Sequence, residues 1–179
     1  AGADAVYLGY AAYSARAGAG NFDEQQLRDA VRFAHLHHVR VHVTVNTLIK
    51  DGEMAGVVDV LRLLGEIRVD AVLVQDLGVL RMVRRCFPDL PIHASTQMSL
   101  FTSGGARWAE RLGMERVVLA RELSAHDTEV ICRRCGAEVE VFGHGALCMC
   151  YSGQCAMSAM IGGRSGNRGT CAPGHFRAA

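Results

Sequence analysis

No apolar run in this 179-residue chain approaches the ~20 residues that a membrane-spanning helix needs. Its opening residues do not form a charged-then-apolar leader of the secretory kind. An excess of one charge is also missing. The 19 Lys and Arg nearly balance the 18 Asp and Glu, for a formal net charge of +1, so no global basic field draws the chain onto nucleic acid or a membrane. Several catalytic signatures are absent as well. There is no Gly-x-Gly-x-x-Gly after the first strand-like run, which removes the main dinucleotide-binding cue. Neither His-Glu-x-x-His nor Gly-x-Ser-x-Gly occurs, and no two acids stand in a catalytic pairing. What is present is 50% hydrophobic content, ample for the core of about one domain. The cytoplasm is the expected compartment.

Cysteine is plentiful by comparison. Four of the seven cysteines fall in "CMCYSGQCAMSAMIGGRSGNRGTC", Cys148 to Cys171, beside five glycines, two arginines and no acid. An odd cysteine count in a large, apolar chain argues against a disulfide scaffold and for reduced thiols used in metal binding or chemistry. The ends suggest a piece of something longer. "AGADAVYLGY" opens without Met almost directly on a strand, and "HFRAA" closes without a helix stop.

Between the ends, apolar β-branched runs alternate with amphipathic stretches. Strands are expected near residues 4–9, 40–46, 70–75, 91–96, 116–120 and 138–143. Helical spacing marks the segments between them, as in Leu27, Val31 and Ala34. Asn21 and Ser124 stand at N-cap positions, and Gly113 at a helix end. Strict alternation means βα units on a parallel sheet. Six such units fit an incomplete (β/α) barrel over residues 1–147, followed by a truncated Cys/Gly-rich loop segment over 148–179 at the barrel mouth.

Parallel α/β folds place their chemistry at the C-terminal ends of strands. The residues there are Asn46, Gln75 and Asp76, Ser95, Thr96 and Gln97, Arg121 and Glu122, and His144. Helix capping is the competing role, above all for Asp76 and Ser95. As a set they form a polar crown. Within it His144, Arg121 and Gln97 are the candidates for catalysis. The remainder, with Arg164 and Arg168 as a basic lip, are candidates for substrate contacts. His35, His37 and His38 close a helix and belong to solvent, whereas His42 and His93 sit inside strands as satisfied structural residues. Cys86 belongs to the core. Cys132 and Cys135 have knuckle spacing but no matching second pair, and are structural. Cys148, Cys155 and Cys171 lie on a flexible stretch able to bring three thiolates together, which suits iron–sulfur or zinc ligation. Cys150, two residues from Cys148, would point the other way in an extended segment.

"EVFGHGALCMCYSGQCAMS", Glu140 to Ser158, resembles the signature of the collagenase-like U-32 peptidases. "GADAVYLG", "VHVTVNTLI", "VDAVLVQDLGVLR", "IHASTQMS", "RVVLARELS" and "GGRSGNRGTCA" resemble further family segments. The resemblance implies a TIM-like barrel whose first strand precedes Ala1 and whose chain continues past Ala179. Some members are called proteases. Others are associated with hydroxylation of RNA bases or of quinone precursors, with a four-iron cluster (4Fe-4S) on four cysteines. Carried over by position, three ligands fall on Cys148, Cys155 and Cys171, and the fourth lies beyond residue 179. Where many members read Cys-Ala-x-Pro-Cys-Arg, this chain continues from Cys171 to Gly174, His175, Phe176 and Arg177, which leaves His175 as an outside candidate ligand. The reading that follows is an iron–sulfur hydroxylase acting on RNA or a small aromatic substrate, away from membranes. A peptidase and a non-catalytic binding domain are the alternatives. A Cys148–His144 protease would use one thiol and leave the convergent others unexplained.

Overall fold

The computed structural model describes residues 2–15, 17, 20–145, 148, 150–162 and 165–168. Six strands alternate with helices: β1 (Ala5–Gly9), α1 (Glu24–Leu36), β2 (Arg40–Val45), α2 (Met54–Glu66), β3 (Ala71–Val74), α3 (Leu77–Cys86), β4 (Ile92–Ala94), α4 (Ser103–Arg111), β5 (Arg116–Val118), α5 (Ala125–Arg134), β6 (Glu138–Glu140), then α6 (Met157–Gly162). All five pairings are parallel, and strand order follows chain order. Flat, a six-stranded sheet would hold its edges about 24 Å apart. Yet the Tyr7 hydroxyl on β1 donates to the Glu140 carboxylate on β6. The sheet is therefore curled into a half-barrel, as its alternation implied.

Alternation within the strands assigns the two faces. Val41, Val43 and Val45 on β2, Val72 and Val74 on β3, Ile92 on β4 and Val117 on β5 all point outward and are fully buried. They meet Leu27 and Val31 of α1, Val57, Leu61 and Leu64 of α2, Val79 and Val83 of α3, and Ile131 of α5 in one apolar cluster. This helix-covered layer is the core. Burying each Leu or Val there stabilises the fold by about 1.5–3 kcal/mol.

Local signals set the helix ends. The α5 start is as expected: Ser124 and Asp127 form a reciprocal capping box. α4 ends at Gly113, whose φ of +85° few side chains tolerate. Two expectations fail. Asp23, not Asn21, caps α1, because its carboxylate accepts from the Gln26 amide while Gln26 returns the bond. Cys86 is exposed rather than core. It is the last residue of α3, past the apolar stripe of Val79, Leu80 and Val83, and Phe87 packs against the core in its place.

Candidate functional site

The C-terminal ends of β2, β3 and β4 bring four of the expected residues into one hydrogen-bonded chain, an open ring at the strand ends. Asn46 Nδ2 donates to Ser95 Oγ across 3.0 Å, and its Oδ1 accepts from the Ala15 amide. Ser95 Oγ also accepts from the Gln97 amide, and Gln75 Nε2 donates to the Gln97 carbonyl at 3.3 Å. Gln75 Oε1 is buried without a partner among the described residues. Thr96 and Asp76 have local work. Thr96 Oγ1 donates to the Leu119 carbonyl. Asp76 accepts from the Gly78, Val79 and Ile49 amides, so it caps α3 and ties down the preceding loop. His144 is exposed in the segment after β6 and takes no part in these bonds.

Below the ring, the inner face carries a polar belt. The His42 and His93 rings, on β2 and β4, meet edge-on with centroids 4.6 Å apart. β3 places small Ala71 opposite His42, which leaves room for the approach. Tyr7 meets His42 at 5.5 Å, and Arg116 pairs with Glu138 and Glu140. The two histidines are 2% and 6% exposed. Both were expected to be satisfied, and neither is. Each Nδ1 is buried without a partner among the described residues. Burial holds both below the usual imidazole range, His93 down to about 3, and the Arg116 charge adds to it. Burial, then the bond to Glu140, raises the Tyr7 phenol.

Arg121 and Glu122 turn to the cysteine loop. Glu122 Oε1 accepts from the Ser152 amide at 2.7 Å and from its hydroxyl at 3.2 Å. Arg121 donates to that hydroxyl from its backbone N and from Nε. Arg168, expected as a free basic lip, is paired with Glu53 at the start of α2. Opposite charges brought together by the fold neutralise it. Arg164, Cys171 and His175 lie outside the described residues.

Cys148, Cys150 and Cys155 are free thiols. The structure sets Cys150 beside both of the others, against the extended-chain expectation. The turn at Gly153, where φ is +74°, lies between Cys150 and Cys155 and lets that pair meet. Cys150 is pushed up to about 11, first by its hydrogen bond with Cys155, then by burial and by charge on Cys155 and Cys148. Burial acts to raise Cys155 too, but the Met157 and Ser158 amides and the Cys150 thiol outweigh it and hold it low. Among the described residues, no three His, Cys, Asp or Glu side chains form a group able to hold a metal ion.

A family model, that of peptidase family U32, matches residues 1–174 of the chain. The chain belongs to peptidase family U32. Family relatives include the Bacillus subtilis tRNA hydroxylation protein P1, 36% identical over 95% of this chain and 40% of the relative. The Escherichia coli 23S rRNA 5-hydroxycytidine synthase is 39% identical over 95% of this chain and 25% of its own length. A Porphyromonas gingivalis protein named collagenase is 33% identical over 96% of this chain and 44% of the relative. The chain thus spans less than half the length of these relatives. The solved structure of the U32 peptidase Mk0906 superposes with a TM-score of 0.65 over 77% of this chain and 60% of that one, at 19% identity. It shares the fold. Among the described residues, no helix is long and apolar enough to cross a membrane.

Sequence reasoning overlooked the belt and the docking residues Ser99 and Ser152. The belt had a signal: polar residues occupy every second position of "RVHVTVN" and of "EVE". Ser152 had none, because its partners are 30 and 53 residues away.

Proposed function

We propose that this chain is part of a longer, cytoplasmic iron–sulfur enzyme that hydroxylates an RNA base, in tRNA or rRNA. The observation that carries this reading is a loop, bonded to the strand-end loops of the half-barrel, that sets the free thiols of Cys148 and Cys155 each beside Cys150. The described thiols do not make a metal site by themselves, and a cluster there needs Cys171 and a further ligand to complete it. Thiolates set side by side repel one another unless a cation compensates them, and soft sulfur donors suit iron. Cys148, Cys155 and Cys171 would hold a four-iron cluster, with the fourth ligand from beyond residue 179. When bound, such a cluster supplies one-electron chemistry. The chain's own contribution is orientation. The amides of Asn46, Gln75 and Gln97 and the Ser95 hydroxyl offer donors and acceptors matched to the edge of a nucleobase. Relatives named for tRNA and rRNA hydroxylation support an RNA substrate over a quinone precursor.

The test is the full-length protein purified without oxygen. Iron and a visible chromophore are expected, with both lost, together with hydroxylation, in Cys148→Ser, Cys155→Ser and Cys171→Ser. Cys132→Ser, Cys135→Ser and Cys150→Ser should keep them. A protein that contains no iron and still cleaves peptides with all three thiols replaced would overturn the reading in favour of a peptidase.

A further inference from the structure

Ser152 stands between Cys150 and Cys155 and is 1% exposed, although Tyr151 beside it is turned to solvent. Every polar group it has is used. Its amide and hydroxyl both donate to Glu122 Oε1, the hydroxyl accepts from Arg121, and its carbonyl accepts from Ser99 Oγ at 2.6 Å. Gln154 Nε2 donates to the same Ser99 oxygen at 3.0 Å. Gly153 between them presses on the ring itself, since a Cβ there would collide with the Gln97 carbonyl. Ser99 is held in a left-handed conformation, φ +57°, that aims its hydroxyl at the loop.

Among the described residues, other ties of this segment are the Phe101–Tyr151 ring contact, with centroids 6.1 Å apart, and the Arg168–Glu53 ion pair further along. Its large side chains Tyr151, Met157 and Met160 are exposed, so hydrophobic burial does not hold it down. Charge-assisted hydrogen bonds from a carboxylate and a guanidinium do, and these are the strong kind. We propose that Ser152 is a positioning residue for the thiol site. Glu122, Arg121 and Ser99 grip it, and the grip fixes the thiols on both its flanks against the ring made by Gln75, Ser95 and Gln97. The purpose assigned to those thiols rests on the cluster reading; the grip itself rests on the hydrogen bonds.

Two measurements on the full-length protein separate these. In the metal-free protein, maleimide labelling of each cysteine should be read by mass spectrometry. Ser152→Ala and Glu122→Ala should label Cys150 and Cys155 about tenfold faster, through loss of buried hydrogen bonds. Glu122→Gln, whose amide oxygen still accepts but without the charge, should label between wild type and Glu122→Ala. Cys135, partly buried at the end of α5, should not change in any variant, which distinguishes a local release from general unfolding. In the iron-loaded protein, a chelator should strip iron about tenfold faster from Ser152→Ala than from wild type, by the same opening. A wild type that takes up no iron would defeat the cluster reading and leave the labelling arm to decide the grip. Equal labelling of Cys150 and Cys155 in wild type, Ser152→Ala and Glu122→Ala would overturn the grip, and so would faster labelling of all cysteines alike.

Discussion

On β2, Val43 and His42 are neighbours and both are hidden from solvent, one completely and the other 98%. Their surroundings are opposite. Val43 faces outward into the apolar cluster under the helices, whereas His42 faces inward to Tyr7, His93 and the field of Arg116. The outer face gains stability by removing apolar surface from water. The inner face hides polar groups that are only partly satisfied, which costs stability. A fold keeps such an arrangement where the polar face is put to use, and the hydrogen-bonded ring sits at the top of that same face.

The largest effect should come from the outer face. Leu64→Ala removes a fully buried side chain of α2 and should lower unfolding free energy by about 2–5 kcal/mol, read by urea denaturation of the full-length protein. A loss under about 1 kcal/mol would mean that the helix layer is not the main core.

An intermediate effect should come from the inner belt. His42 and His93 are held neutral in the folded state, His93 down to about 3, while an unfolded histidine titrates near 6.5. The unfolded chain therefore binds more protons through this window. Stability should be full above about pH 6.5 and fall as pH drops toward 3, with about 2 kcal/mol lost through His93 by about pH 5. The charged groups around the pair are Arg116, Arg40, Glu138, Glu140 and Asp70, so carboxylate protonation adds to the loss in the lower part of the window. His93→Leu should flatten the slope between pH 7 and 5, and an unchanged slope there would assign it to other groups. The smallest effect should come from the ring's edge. Asp76→Ala removes the α3 cap and should cost about 1 kcal/mol, with Asp76→Asn losing less, by the same denaturation measurement.

The ring and the thiols were read from the sequence with unequal success. Asn46, Gln75, Ser95 and Gln97 were legible because strand ends follow from β-branched runs, and a parallel sheet puts those ends on one side. Arg121 and Glu122 were correctly placed at a strand end, yet what they hold could not be seen. Ser152 reaches them only after the chain has completed β6 and turned back. Cys150 was set aside on the alternation of an extended strand, a rule that does not apply here because Cys148 and Cys150 lie on a loop outside every strand.

The sequence by itself determined the half-barrel: valine-rich runs at even spacing, separated by helical periodicity, allow parallel βα units and little else. It also determined which cysteines share a loop. Only the tertiary structure decided which polar groups would be consumed by one another. Asp76 took the α3 cap, Arg168 took Glu53, Glu122 took Ser152, and His42 and His93 were left with nitrogens unpartnered among the described residues. Those outcomes depend on distances between residues far apart in the chain. Local propensity carries no record of them, because a hydrogen bond is satisfied by whichever partner the fold brings within about 3 Å.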